Sequence, residues 1–305
     1  MEDHNQSTQA QRGEDLLDED DSYQPVGSAR TEAKPAEQLQ KPAAEPAVSR
    51  VALITGGAGA VATAVAMELA RRGWSIFLQH STTPAAAQET AAIRDASLAG
   101  AEVLTAAADL TTSAGREQLV EQVLEAFDRI DMLVNAAIPA ASGGSDLLVL
   151  AEEEFRATMD AALTSTLFLT QHVANEMVRL VEAGLIENPK IVTISTLNAY
   201  ITSIDSAPQC VSQAALGMMT RLFADRLGEF GINVYEIRMG ILASGSSDQS
   251  YAKYDTLIAQ GLTPIRRWGR PGDAARAVAA VAEDLLGFST GEVIHVDGGF
   301  HIQRL

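Results

Sequence analysis

The sequence predicts an α/β fold: one domain built on a doubly wound parallel sheet, preceded by a disordered N-terminal tail. Three observations predict it. Short apolar runs alternate with helical segments of ten or more residues from Val51 to Val296, a glycine-rich turn follows the first run, and composition changes abruptly near residue 49. Strands separated by helices of that length pair in parallel, because a parallel neighbour needs a long crossover, and the helices then cover both faces.

The elements follow in order. Residues 1–49 are rich in Gln, Glu, Asp, Ala and Pro and have almost no large apolar side chains, too few to offset the entropy of ordering the segment. Leu16, Leu17 and Tyr23 leave room for a short docking motif. Its acidic cluster, Glu14, Asp15, Asp18, Glu19, Asp20 and Asp21, reads as a solvated charge run or as a dock for a basic partner. At Val51–Thr55 an apolar strand begins the domain, 50–305, followed by glycines and an Ala-rich helix, Ala64–Arg72, stopped by Gly73. Then come strand Ser75–Gln79, helix Ala85–Ala99, strand Glu102–Ala107, helix Arg116–Arg129 and strand Asp131–Asn135. A long helix near Glu153–Glu182 leads to strand Lys190–Ser195, helix Ser212–Phe230 and strand Asn233–Met239. Helix Asp273–Leu285 precedes the last strand, Glu292–Val296. In such Rossmann-type sheets ligands sit at the carboxyl ends of the strands where strand order reverses.

Composition narrows the function classes. A net charge of −18 argues against nucleic acid and anionic membrane as partners, since both demand a basic surface. Residues 1–48 hold 11 acidic and 4 basic residues, so −7 of the total lies there and the remaining −11 belongs to the domain. The single cysteine, Cys210, forms no internal disulfide, and one thiol with five scattered histidines builds no metal cluster. These features fit a reducing, cytoplasmic setting. No run approaches 18 apolar residues and the acidic N-terminus lacks a signal-peptide pattern, so neither a transmembrane helix nor a secretory signal is expected.

Several motifs carry a family resemblance. Thr55-Gly56-Gly57 follows the first strand, Ala108-Asp109-Leu110 the third, and Asp131-Met132-Leu133-Val134-Asn135 marks the fourth. Thr290-Gly291 and Val296-Asp297-Gly298-Gly299 close the domain. From about Arg50 to Leu305 the chain resembles a short-chain dehydrogenase/reductase. Gly231 to Leu305, with Tyr251-Ala-Lys-Tyr254, Pro264, Arg267-Trp268-Gly269 and Phe300-His301-Ile302, is similar to a bacterial subgroup labelled 3-oxoacyl-(acyl carrier protein) reductase.

The resemblance implies a Tyr that protonates the substrate carbonyl, a Lys that lowers the Tyr pKa from about 10 and holds the nicotinamide ribose, and a Ser or Thr that holds the carbonyl oxygen. Here the hydroxyl falls on Thr196, and 13 residues later stands Gln209 instead of Tyr. Gln213 replaces the Lys, and Ser212 with Ala214-Ala215-Leu216 keeps the frame. An amide gives up no proton near neutral pH, so two of three reaction roles are vacant. The family's Asn on the long central helix falls on Ala162, which is expected to replace a kinked, water-holding site with a better helix former.

The cofactor loop is altered as well. The pattern TGxxxGxG becomes Thr55-Gly56-Gly57-Ala58-Gly59-Ala60-Val61-Ala62, and the methyl of Ala60 intrudes where the backbone must approach a dinucleotide. The turn after the fourth strand reads Asn135-Ala136-Ala137, without the second Asn, and Met239-Gly240 stands for Pro-Gly. Gln79-His80-Ser81-Thr82 offers no acid for the ribose hydroxyls, so the resemblance implies NADP over NAD, bound weakly or not at all. Thr55, Gly56, Gly57, Gly59, Ala60, His80, Ser81, Asp109, Leu110, Asn135 and Gly240 are the cofactor-side positions; Asp109 is placed to contact the adenine.

Three residues are weighed as substitute acids: Tyr200, Cys210 and His80. Their plainer readings are a packing residue, a small buried apolar side chain and a strand-end surface residue. Asp205 could act only if desolvated. Residues near Ile241–Thr263 form a substrate lid, polar from Ser244 to Ser250. Related reductases associate through their two long helices, here Glu153–Glu182 and Ser212–Phe230. The expectation is a folded pseudoenzyme used for binding or assembly, as a homo-oligomer (dimer or tetramer) or a hetero-oligomer with an active relative. The alternative is an NADP-dependent reductase of a carbonyl, 3-oxoacyl-type substrate with unusual proton supply.

Overall fold

A computed structural model of the protein describes residues 49–87, 101–138, 144–243 and 248–304. The chain divides into two units, Met1–Ala47 and Val48–Leu305, and every described residue belongs to the second. The expected tail up to residue 48, and the helix expected at Ala85–Ala99 beyond its helical residues 84–87, lie outside the described residues.

All seven expected strands form: β1 (Val51–Ile54), β2 (Ser75–His80), β3 (Val103–Ala107), β4 (Met132–Asn135), β5 (Lys190–Thr196), β6 (Asn233–Met239) and β7 (Glu292–Val296). They make one parallel sheet in the order β3-β2-β1-β4-β5-β6-β7. The order reverses between β1 and β4, which places the ligand-binding crevice at their carboxyl ends. Alternate strand residues face opposite sides. Ala52 and Ile54 pack with Val65, Leu69 and Val278 on one face, while Val51 and Leu53 pack with Leu119, Leu169 and Val173 on the other. Because both faces are covered, all four residues of β1 are buried and the strand reads as an unbroken apolar run.

The flanking helices are α1 (Ala60–Ala70), α2 (Ser113–Phe127), α3 (Glu152–Met159), α4 (Ser165–Glu182), α5 (Ala207–Leu227), α6 (Asp248–Ala259) and α7 (Pro271–Ala282). Several differ from expectation. Helix α1 begins at Ala60 and not Ala64, because the chain leaves its extended conformation at Gly59 and the Ala-rich segment winds from there. Helix α2 starts three residues early, at Ser113, where the Thr112 hydroxyl accepts the Gly115 N–H at 3.1 Å as an N-cap. Helix α5 starts at Ala207, with Pro208 in its first turn, where a missing N–H costs nothing. The segment read as a lid contains helix α6.

The long central helix is also interrupted. Residues Asp160–Thr164 form a π-helical turn between α3 and α4, with Ala162 inside it. This corrects the expectation that Ala162 would leave a regular helix. Hydroxyls meet the carbonyls of the turn: Ser165 Oγ donates to Ala161 O at 2.6 Å and Thr166 Oγ1 to Ala162 O at 2.7 Å. Such back-bonding bends a helix and stabilises a local irregularity.

Candidate active site

The cofactor end is organised by Thr55 at the end of β1. Its hydroxyl accepts the N–H groups of Ala136 at 3.0 Å and Ala137 at 3.2 Å, tying the carboxyl ends of β1 and β4 together at the switch point. Gly56 has φ +76°, and a Cβ there would stand 2.7 Å from Ala137 Cα, so only glycine fits. The loop is pinned by Gln79 of β2. Its Oε1 accepts the Gly56 N–H at 3.1 Å, its Nε2 donates to Ala108 O at 2.9 Å, and its carbonyl accepts the Gly57 N–H at 2.7 Å. The sequence placed Gln79 at the end of the second strand as part of a stretch without an acid for the ribose, and gave it no role in holding the glycine turn.

Gly59 caps α1 in an extended conformation with no side-chain cap, and no acidic residue occupies the first turn. The orphan N–H groups of that turn and the helix dipole therefore favour an anion. Ala60, the first helical residue, is exposed at the start of α1. His80 is only 6% exposed, contrary to its reading as a surface residue, and its Nδ1 lies 2.8 Å from Ser81 O. Ser81 Oγ pairs with Thr83 Oγ1 at 3.2 Å. Asp109 is exposed; hydrogen bonds from the Thr111 hydroxyl (2.6 Å) and N–H (3.0 Å) hold its carboxyl below the usual range. The next carbonyl, of Leu110, accepts from Arg116 Nη1 at 2.8 Å. Asn135 is buried and structural: its Nδ2 donates to Thr170 Oγ1 at 2.9 Å, joining β4 to α4. Gly240 allows a close crossing, since a Cβ there would stand 2.6 Å from Asp297 Cα.

At the reaction end, Thr196 closes β5 and faces α5. Gln213 is 4% exposed, and its Oε1 accepts the Thr196 N–H at 2.9 Å. Gln209, half-buried, sits one turn earlier on the same face of α5, and its carbonyl accepts from Ser212 Oγ at 3.0 Å. The structure thus gathers Thr196, Gln209 and Gln213 at one strand end, at the carboxyl rim shared by the glycine turn. Two carboxamides and a hydroxyl can donate and accept hydrogen bonds but supply no proton near neutral pH.

A family model described as enoyl-(acyl carrier protein) reductase matches residues 56–301. The chain belongs to the short-chain dehydrogenase/reductase family. Among curated relatives of this short-chain dehydrogenase/reductase, the (2S)-[(R)-hydroxy(phenyl)methyl]succinyl-CoA dehydrogenase subunit BbsD of Thauera aromatica is 31% identical over 251 residues, 82% of this chain and 96% of that protein. A 3-oxoacyl-[acyl-carrier-protein] reductase of Synechocystis is 25% identical, covering 82% of this chain and 96% of its own. Among solved structures, a 3-oxoacyl-[acyl-carrier protein] reductase from Brucella melitensis in complex with NAD superposes with a TM-score of 0.76 at 35% identity, covering 84% of this chain and 99% of that one.

In this short-chain dehydrogenase/reductase Tyr200 donates to Asp297 Oδ2 at 2.9 Å, and burial followed by that carboxylate pushes its pKa far up, so it holds its proton. Cys210 Sγ lies 3.5 Å from Ile201 O, and Asp205 is exposed. Tyr200 instead joins a charged cluster that sequence reasoning missed. Asp297 also accepts from the Gly299 and His301 N–H groups and pairs with His301 Nδ1 at 2.9 Å, while His301 stacks on His295 with centroids 4.1 Å apart. Arg238 lies 5.6 Å over the Tyr200 ring and forms a forked pair with the fully buried Glu236, to which Ser195 also donates. Glu236 and Arg238, two residues apart on one face of an otherwise apolar strand, were the legible signal. Among the described residues no group of His, Cys, Asp and Glu is placed to hold a metal, and no helix is long and apolar enough to cross a membrane.

Proposed function

We propose that this short-chain dehydrogenase/reductase is a pseudoenzyme that acts by binding or assembly and not by hydride and proton transfer. The observation that carries the reading is the Gln213 latch. The residue in the place of the ammonium spends its oxygen on the Thr196 N–H, and Gln209 has no proton to give. The amide therefore supports the fold at the position where the family's chemistry needs a charge.

The dinucleotide side is partly suited to its ligand. The uncapped, acid-free start of α1 suits a diphosphate, and neutral Ser81 with the weakly basic His80 favours NADP over NAD. The loss of the ribose-holding Lys and the Ala60 methyl make binding weak or absent. That same uncapped turn favours the second reading, an NADP-dependent reductase of a 3-oxoacyl-type carbonyl with atypical proton supply, as does the likeness to a reductase solved with NAD.

Assembly is supported by exposed apolar residues on the long helices. Val211, Met218 and Leu222 line one side of α5, and Phe168 stands on α4. These suit a homodimer or tetramer, or a hetero-oligomer with an active relative; one relative is itself named as a dehydrogenase subunit. We place the protein in the cytoplasm, with 1–49 as an acidic tail able to meet a basic partner and 50–305 as the folded domain.

Calorimetric titration with NADPH, alongside NADPH oxidation with 3-oxoacyl substrates, tests the reading on wild type and on Gln209→Tyr/Gln213→Lys. The pseudoenzyme reading expects no turnover by wild type. Micromolar NADPH affinity with measurable wild-type turnover would overturn it in favour of the reductase.

A further inference from the structure

A cavity of about 430 Å³ opens at the amino ends of the strands, on the rim opposite the cofactor crevice. Arg50 and Trp74, just before β1 and β2, Asp131 before β4 and Lys190 at the start of β5 line it, with Arg129 and Asp284 beside them. Its size falls in the range of small-molecule sites.

In a chain of net charge −18, three cations share this one wall. Two are paired. Arg129 gives Nε and Nη2 to Asp131 at 2.8 and 2.7 Å, and Asp131 Oδ2 also accepts the Val51 N–H at 2.8 Å, so this buried carboxylate is used up. Lys190 Nζ, 4% exposed, meets Asn233 Oδ1 at 3.0 Å and Asp284 Oδ1 at 2.8 Å. Arg50 has no carboxylate partner among the described residues. Its Nη1 donates to Ala282 O at 3.1 Å, and its guanidinium lies 4.3 Å from the centroid of the Trp74 ring. A guanidinium has five N–H donors and an ammonium three. After these bonds each cation keeps donors to spare; Asp284 is engaged with Lys190 and Glu187 is exposed, so Arg50, also exposed, is the cation of the wall left without a carboxylate among the described residues.

We propose that this cavity binds a small anion bearing a carboxylate or phosphate group, held chiefly by Arg50 against the Trp74 face and aided by Arg129 and Lys190. The site is separate from the dinucleotide crevice and its occupancy is independent of the pseudoenzyme reading.

Trp74 and Trp268 are the two tryptophans of the chain, so Trp268→Phe makes Trp74 the sole reporter. The full chain carrying that change is titrated with inorganic phosphate and, separately, citrate, at constant ionic strength. The expected result is a saturable change in Trp74 emission, weakened tenfold or more by Arg50→Gln and unaffected by NADPH. A response to phosphate alone or to citrate alone assigns the chemistry within the class. Calorimetry of the same anions with wild type guards against damage from either substitution. No saturable signal by either method overturns the proposal, as does a signal that survives Arg50→Gln or that NADPH displaces.

Discussion

Gln213 Oε1 accepts the backbone N–H of Thr196 across 2.9 Å, from a side chain that is buried to a strand end that is half-buried. The bond ties the end of β5 to the middle of α5. Removing one partner leaves a buried donor unsatisfied, at about 1–3 kcal/mol. Gln213→Ala should therefore lower unfolding stability by roughly that amount, while Gln213→Glu, which keeps an acceptor but buries an unpaired carboxylate, should lower it more at neutral pH. Urea denaturation of the two variants checks the order.

Restoring chemistry should need more than one residue. Gln209→Tyr alone puts a phenol in place without a cation to lower its pKa, and Gln213→Lys alone supplies a cation with no acid to act on. Because the π-turn at Asp160–Thr164 persists with Ala162 inside it, Ala162→Asn would enter a bend that already exists. The single variants are expected to remain inactive, and any gain of NADPH oxidation to appear in the double variant and rise in the triple. Turnover in a single variant would contradict this.

Gly56 combines φ +76° with a blocked Cβ position 2.7 Å from Ala137 Cα. Gly56→Ala should destabilise the domain by roughly 1–3 kcal/mol from overpacking alone, with strain of the left-handed backbone added. Thermal unfolding measures it; a neutral substitution would show that the turn can move.

The Tyr200–Asp297–His301–His295 cluster sets a pH dependence at both ends. Burial, then His301, depresses the His295 pKa below its ordinary 6.5 despite Asp297 and Glu236 nearby, with Arg238 acting in the same sense. The unfolded chain then takes up a proton that the folded chain resists, so stability falls as pH drops below 6.5. Burial alone would raise Asp297, but bonds from His301, Gly299 and Tyr200 outweigh it and hold its carboxyl low, so a second loss follows below about 3.8. At the basic end Tyr200 is raised, and burial pushes Tyr235 up to about 12, so stability falls as pH rises above 10. Melting temperature against pH should show both limbs. His295→Gln should flatten the first, and Tyr200→Phe should reduce the last.

The sequence by itself determined the sheet and the place of the site. The seven apolar runs, the helices between them and Thr55-Gly56-Gly57 are local signals of period and turn chemistry, and they survive in a single chain read alone. That Gln209 and Gln213 stand 13 and 17 residues after Thr196 was likewise legible, because identity at a fixed spacing is a property of sequence. Helix starts at Ala60, Ser113 and Ala207 were not, since they depend on which backbone groups find partners at each turn. Only the tertiary structure decided that Gln79 pins the glycine turn, that Gln213 latches Thr196, that Ala162 lies in a π-turn and that Tyr200 is locked to Asp297. Apart from the π-turn, whose hydroxyl bonds span four residues, those bonds join residues from 17 to 97 positions apart, and no local pattern encodes a partner at such a distance.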